Sequence, residues 1–298
     1  MNAAGPIRPA MGFGLGKLHH IVSRSERERL VLGAYDAGLR HFDLAAAYGD
    51  GLCEAEVGRI LGGRRATVSL ATKFGIPCKS LGGRNIPLYF ASKILRKTFS
   101  RSYGSEYAVR DFSPEAAVRD LEQSLRFLRT DYLDCLLLHE PRDPRDFDAA
   151  RGAIETLERL KESGKILSYG ISARTEQFLE LGRDGIFGDV VQFELSRQSP
   201  ALIAMTPPEC RPAAFGLIRF LGSDDRRARL DYAEILDWFF RHYPRTMPIF
   251  ASNRPDEVAR LGKAFATFRH PDTVSARPHA WPPRPRSAEP GGYPAPTR

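Results

Sequence analysis

Eight short apolar, β-rich runs alternate with helical patterns along this chain, and that alternation constrains its fold more than any other feature. The strand candidates fall at 11–15, 39–44, 67–72, 132–138, 166–171, 190–195, 215–220 and 247–251. Parallel strands cannot be joined by a tight turn; each needs a crossover, usually a helix. Strand–helix alternation therefore implies a parallel sheet, and eight such units is the number that closes one. The expected fold class is α/β, a (β/α)8 TIM-type barrel, with a long insertion after the third strand and a disordered Pro-rich C-terminal tail.

Local signals place the helices. Ser25 and Glu28 read as a capping box for a helix over 25–37, which Gly38 ends. A short helix over 54–61 would bury Val57, Ile60 and Leu61. Ser113 and Pro114 supply an N-cap and a first-turn proline, followed by Val118, Leu121, Leu125 and Leu128 on one face. Further helices are expected over 149–163, 175–181, 231–242 and 255–267, and the proline-rich stretch 200–212 permits only a short one. The segment 78–111 reads as an irregular insertion, the kind that forms functional loops or lids. Beyond residue 269 the chain is rich in proline and has little to bury, so the expected division is a barrel over 1–268 and a disordered tail over 269–298.

Composition narrows the class. Hydrophobic residues make up 42% and charged residues 27%, ordinary for a globular protein. No apolar run approaches the roughly 18 residues of a membrane span, and no basic-then-apolar leader is recognisable. Cys53, Cys78, Cys135 and Cys210 lack CxxC spacing; they read as free thiols in a cytoplasmic protein rather than as a metal or disulfide frame. The net charge of +8 is spread over arginine-rich helix faces without interleaved aromatics, so neither nucleic acid nor membrane is an expected partner. Oligomeric state is not set by the sequence.

In such barrels chemistry lies at the carboxyl ends of the strands. Asp43 ends the second strand, with Tyr48 in the loop beyond it; Lys73 ends the third and His139 the fourth. Singly, each is an ordinary strand-end or turn residue. Together they bring an acid, a phenol, an amine and an imidazole to adjacent positions on one rim. A tyrosine near pKa 10 keeps its proton at neutral pH. A lysine at about 4 Å favours the phenolate by at most roughly 4 kcal/mol at an effective dielectric near 20, and Asp43 would hold that lysine charged. His139 would orient a carbonyl oxygen. This is the equipment of a general acid aimed at an oxygen that becomes an alkoxide.

The motifs HFDLAAAYG, ATKFG and LLLHEP, in this order, resemble the aldo-keto reductase superfamily, and the likeness runs from GFGLGKL to PIFASNRPDEVARL. The resemblance implies an oxidoreductase that moves a hydride between a nicotinamide cofactor and an aldehyde or ketone, or the reverse with an alcohol. Tyr48 would be the general acid, Lys73 and Asp43 its tuning pair, and His139 the substrate-orienting group. The implied cofactor is NADPH, with NADH possible, laid across the barrel mouth. Ser172 and Gln192 match two of the family's partners for the nicotinamide amide; the third, an asparagine, is Ala173 here. His19, His20, the 78–111 insertion and the loop after His139 would face the small-molecule carbonyl or alcohol.

Two regions depart from the family pattern. The family's seventh strand ends in a tyrosine that stacks on the nicotinamide, then a proline and a leucine. With that strand over 215–220, Arg219 takes the tyrosine position, Phe220 is the nearest aromatic, and Leu221 follows beside the cofactor. Before the last helix, the family's Lys and Arg partners of the NADPH 2′-phosphate read Asn253 and Glu257, its adenine-contacting asparagine reads Leu261, and Ser252 and Arg254 are left as candidates for the phosphate. The departures leave three outcomes: NADH is accepted, Arg254 has taken over, or cofactor binding has decayed. The last would make the chain a non-catalytic binding or regulatory protein of the same fold.

Overall fold

The structure, a computed structural model, describes residues 11–99, 110–221 and 231–268. The expected disordered tail over 269–298 and part of the insertion lie outside the described residues. Eight parallel strands close into a barrel in sequence order. They are β1 (Gly12–Gly14), β2 (His41–Asp43), β3 (Ser69–Phe74), β4 (Cys135–His139), β5 (Tyr169–Arg174), β6 (Val190–Glu194), β7 (Arg211–Phe215) and β8 (Met247–Phe250). The helices are α1 (Arg24–Asp36), α2 (Leu52–Leu61), α3 (Leu81–Arg84), α4 (Ile86–Phe99), α5 (Pro114–Leu128), α6 (Pro144–Gly152), α7 (Ile154–Glu162), α8 (Thr175–Leu181), α9 (Ser199–Met205), α10 (Leu217–Leu221), α11 (Tyr232–His242) and α12 (Pro255–Thr267).

Burial explains why the strands read as they do. β4 is buried at every position because its outer face meets helices and its inner face fills the barrel. Inside, Ala71, Cys135, Leu137 and Val190 pack in one cluster and Ala213, Met247 and Ile249 in another. The large core lies between strands and helices, where Phe13, Phe42, Leu136, Leu138, Phe178 and Phe193 are fully buried. α5 starts as its sequence dictates: the Ser113 hydroxyl accepts from the Ala116 amide at 3.2 Å with Pro114 in the first turn.

Several boundaries differ from expectation, each for a local reason. α1 is capped by Ser23, whose hydroxyl accepts from the Glu26 amide, instead of by Ser25. The helix expected over 149–163 starts earlier, at Pro144, capped by Asp143, and breaks at Ala153 into α6 and α7. The insertion carries the helices α3 and α4. Gly82 and Gly83 are not turn residues there: a Cβ on Gly82 would lie 1.9 Å from the Gly49 carbonyl oxygen, and one on Gly83 would strike the Phe127 ring. Most consequentially, β7 runs over Arg211–Phe215, and the apolar run 217–221 is the short helix α10.

Candidate active site

Register sets the frame of the site. Asp43 pairs with Gly14 on one side and Ala71 on the other, Lys73 with Leu137, His139 with Ser172, and Ser172 with Gln192. Polar side chains from β2 to β6 thus reach the same end of the barrel without any loop having to find them. Lys73 is 2% exposed. Its ammonium donates to Asp43 Oδ1 at 2.7 Å and to the Leu44 carbonyl oxygen at 2.7 Å. Gln192 Nε2 donates to the same Asp43 oxygen at 2.8 Å, and the Ser172 hydroxyl donates to Gln192 Oε1 at 2.5 Å. One hydrogen-bonded chain therefore links β5, β6, β2 and β3 across the barrel mouth.

Tyr48 is carried by a tight turn. Its amide donates to the Ala45 carbonyl oxygen at 3.0 Å. The three residues after it, Gly49, Asp50 and Gly51, all have positive φ. A Cβ on Gly49 would sit 2.4 Å from His19 Cβ, so this position requires glycine on both counts. The Asp50 carboxylate accepts from the Ser80 and Leu81 amides at 2.9 and 2.8 Å. The insertion thereby clamps the tyrosine turn from outside. The Tyr48 ring meets the His139 ring edge-on, with centroids 5.5 Å apart, and Lys73 Nζ lies 5.2 Å from the Tyr48 centroid.

Burial dominates the electrostatics. It pushes the Tyr48 phenol above its ordinary value, with Lys73 pulling the other way. The structure thus reverses the net sign expected from the lysine alone: desolvation of the phenolate outweighs the ammonium beside it. Burial also pulls Lys73 down, yet Asp43 and Tyr48 together lift its ammonium above the usual value. His139 is held well below its ordinary value by burial first, then by Lys73 and Arg110. At neutral pH the site accordingly holds a protonated phenol, a charged amine and a neutral imidazole. Nδ1 of His139 is buried with no hydrogen-bond partner among the described residues.

A cavity of about 700 Å³ opens over this floor, lined by Asp43, Tyr48, His139, Ser172 and Gln192 and walled by Phe215, Ile249 and Phe250. It falls within the roughly 300–1,000 Å³ of small-molecule and cofactor sites. Because β7 ends at Phe215, the aromatic at its end is Phe215, followed by Gly216 and Leu217. Sequence reasoning missed this residue. The signal was Gly216, a strand breaker with φ +80°, directly after an aromatic and before a leucine. Arg219 sits on α10 at the cavity edge, 71% exposed, paired with Glu194 at 2.7 Å. Phe220 packs against Trp238, and Leu221 against the hydrophobic core; neither lines the cavity. The His19 and His20 rings lie tilted against each other, Lys93 of α4 donates to the His19 carbonyl oxygen at 3.4 Å, and both histidines are also absent from the lining.

The start of α12 is arranged differently from the expectation of a phosphate site. The Ser252 hydroxyl donates to Glu257 Oε2 at 2.6 Å and accepts from the Arg254 amide at 3.0 Å. The Arg254 guanidinium is engaged by Asp256 at 3.0 Å and lies 3.6 Å from Glu257 Oε1. Glu257 itself is 7% exposed.

The chain is a closed eight-stranded parallel barrel with an Asp, a Tyr, a Lys and a His gathered at the carboxyl ends of β2 to β4. The chain matches the Aldo/keto reductase family over residues 10–201, and it belongs to that family. It is 33% identical over 153 residues to an uncharacterized oxidoreductase, YcsN, of Bacillus subtilis, covering 50% of this chain and 44% of that one. It is 29% identical over 188 residues to a D-threo-aldose 1-dehydrogenase of a Pseudomonas species, covering 59% and 54%. The chain thus spans about half the length of the curated relatives it matches. Among solved structures, the aldo-keto reductase of Bacillus halodurans in its holo form superposes with a TM-score of 0.63 at 22% identity, over 87% of each chain. One from Klebsiella pneumoniae in complex with NADPH gives 0.58 at 21%, over 87% and 86%. At these identities the structural likeness speaks for the fold. No described helix is long and apolar enough to cross a membrane, and no cluster among the described residues is built to hold a metal ion.

Proposed function

We propose that this protein is a nicotinamide-dependent oxidoreductase that reduces an aldehyde or ketone, or oxidises the corresponding alcohol, with Tyr48 as general acid. The observation that carries the reading is the buried Lys73 ammonium, locked 2.7 Å from Asp43 below the Tyr48 ring and beside His139 at the floor of the cavity. A nicotinamide, NADPH by family resemblance with NADH admitted, supplies the hydride. The residues present fit such a group. Phe215 offers a flat apolar face, and Ser172 and Gln192 offer a hydroxyl and an amide, now paired with each other, to the carboxamide.

Each residue of the floor then has a stated task. The neutral His139 donates a hydrogen bond to the substrate oxygen and positions it. Tyr48 holds its proton in the resting site because burial disfavours the phenolate. It gives up that proton as charge grows on the substrate oxygen, and Lys73 stabilises the phenolate left behind. Asp43 keeps Lys73 charged and aimed. In the oxidative direction the same phenolate takes the alcohol proton.

Tyr48→Phe tests the assignment. Carbonyl reduction should fall about 10²- to 10⁴-fold, the usual contribution of a placed acid, while cofactor affinity, read by calorimetry, stays within about twofold. Unchanged turnover would rule out Tyr48 as the proton donor. A wild-type chain that binds neither nucleotide would instead favour a non-catalytic barrel.

A further inference from the structure

We infer that the outward face of α4 binds an anionic lipid surface. The face lies outside the cavity, and the inference stands apart from the proposed chemistry. α4 has 14 residues, about 21 Å of helix. Its inner side is engaged: Ile86, Tyr89 and Phe90 pack against the hydrophobic core, and the Lys93 ammonium donates to the His19 carbonyl oxygen at 3.4 Å. A helix on the surface of a globular protein turns polar side chains outward. α4 does the reverse. From Ile86 to Leu95 its exposed positions are Pro87, Leu88, Ala91, Ile94 and Leu95, and every one is apolar. The patch extends past the helix to Val22, just before α1. The Val22 carbonyl oxygen accepts from Arg27 at 2.7 Å, and the same guanidinium lies over the Phe90 ring, 5.7 Å from its centroid. Val22, Leu88, Ile94 and Leu95 are 51% to 70% exposed, and among the described residues Val118 is the one other large apolar side chain left so open. Such residues scattered singly carry no meaning; gathered on one face they mark a contact site.

Charge selects the occupant. The positive charge of the whole chain is spread widely and by itself names no membrane partner, but around α4 it is one-sided. Residues 79–101 hold six cations, Lys79, Arg84, Lys93, Arg96, Lys97 and Arg101, and no Asp or Glu. Neither Arg84, one turn before Leu88, nor Lys93 forms an ion pair among the described residues, and Arg24, beside Val22, is exposed. The acids that border the patch, Glu26 and Glu28 of α1, are already paired with Arg29 and Arg59. A second copy of this chain would bring two cationic faces together, which like-charge repulsion opposes. An anionic bilayer answers both properties of the face: negative headgroups meet the cations, and the apolar layer beneath them takes the leucines. A helix of this kind lies in the plane of the interface, so the contact is peripheral, in keeping with the lack of a membrane-crossing helix among the described residues.

The test is sedimentation of the full chain with vesicles of phosphatidylcholine alone and of equimolar phosphatidylcholine and phosphatidylglycerol. Binding to the anionic vesicles should be about tenfold or more tighter than to the neutral ones, and should weaken as salt rises from about 0.1 M to about 0.5 M. The double variant Leu88→Glu, Leu95→Glu should lose about tenfold or more of that affinity, with its circular dichroism and thermal midpoint unchanged because both side chains are exposed. Leu88→Ser with Leu95→Ser keeps the test decisive if the glutamates disturb α4. Arg24→Gln with Arg84→Gln should weaken binding to anionic vesicles about tenfold and leave binding to neutral ones as it was. Failure to sediment with anionic vesicles, equal binding to neutral ones, or unchanged binding by the leucine variants would overturn the inference. So would a dimer, seen by analytical ultracentrifugation, that the leucine variants dissociate, since the face would then belong to a second copy. None of these outcomes touches the role of Tyr48, because neither leucine lines the cavity.

Discussion

The two sides of the barrel mouth are built on opposite terms. On the β2–β4 side three polar groups are buried and tied to strands: Asp43, Lys73 and His139 are 6%, 2% and 5% exposed, and the register of the sheet sets their positions. On the β7–α12 side the polar groups stand on loops and helix ends. Arg219 and Arg254 are mostly exposed and answer to nearby carboxylates. A dry, strand-borne cluster has almost no room to vary, because changing one partner strands another. A loop-borne rim can exchange residues at little cost to the fold, and that rim lies outside residues 10–201, the stretch that matches the family.

Breaking the buried side should therefore give the largest effect on stability. Lys73→Met leaves the Asp43 carboxylate buried with only the Gln192 amide beside it. Removal of one partner of a buried pair costs about 3–5 kcal/mol, and guanidinium denaturation should register a loss of that order. The double variant Asp43→Asn, Lys73→Met should recover part of it, since no uncompensated charge remains. Equal stability of the single and double variants would mean that Asp43 and Lys73 do not depend on each other.

The same contrast explains what could be read from the sequence. The four floor residues were legible because each follows a short apolar run whose end can be seen locally, and the closed sheet converts strand ends into neighbours. The eight-unit alternation likewise survives small errors in boundaries: helices over 175–181 and 255–267 fall where expected. β7 was misplaced because Arg211 and Pro212 resemble a loop, while Leu217–Leu221 is more apolar than the strand itself. A five-residue apolar run does not reveal its period. Phe215 was lost with that shift. Glu257 could be read only as a surface position at a helix start, whereas the coordinates bury it under Ser252 and Arg254. The balance at Tyr48 was also beyond reach, since burial is a property of the assembled barrel and not of the residues near it in sequence.

A group just beneath the floor sharpens the comparison through pH. Glu54 of α2 is fully buried, and its carboxylate accepts from the Thr72 hydroxyl at 2.6 Å. Burial raises its pKa to about 7 from 4.5. The folded state therefore binds a proton that the unfolded chain has released between pH 4.5 and about 7. Its contribution to stability is full below pH 4.5 and is lost as pH rises through 7, roughly 3 kcal/mol in all. His41, lowered to about 4 by burial, and His139 act in the opposite sense: their contributions are full above pH 6.5 and are lost as pH falls below it. Glu54→Gln should remove only the first of these dependences. Its stability relative to wild type should rise between pH 5 and pH 8, by roughly 2–3 kcal/mol. A difference independent of pH would show that Glu54 does not titrate in this range.

The smallest effects belong to the rim, and they separate two residues that lie on either side of Gly216. Phe215 ends a strand and faces the cavity; Arg219 lies on the next short helix, largely in solvent. If the cofactor ring rests on Phe215, Phe215→Ala should weaken nucleotide binding about tenfold, near the roughly 1–3 kcal/mol that an aromatic stacking contact contributes. Arg219→Ala removes an exposed ion pair and should change folding stability by less than about 0.5 kcal/mol. Tenfold weaker binding in Arg219→Ala with none in Phe215→Ala would restore the guanidinium as the stacking partner. It would also mean that the end of β7 and the start of α10 rearrange when the nucleotide enters, because the present geometry turns Arg219 toward Glu194 and away from the floor.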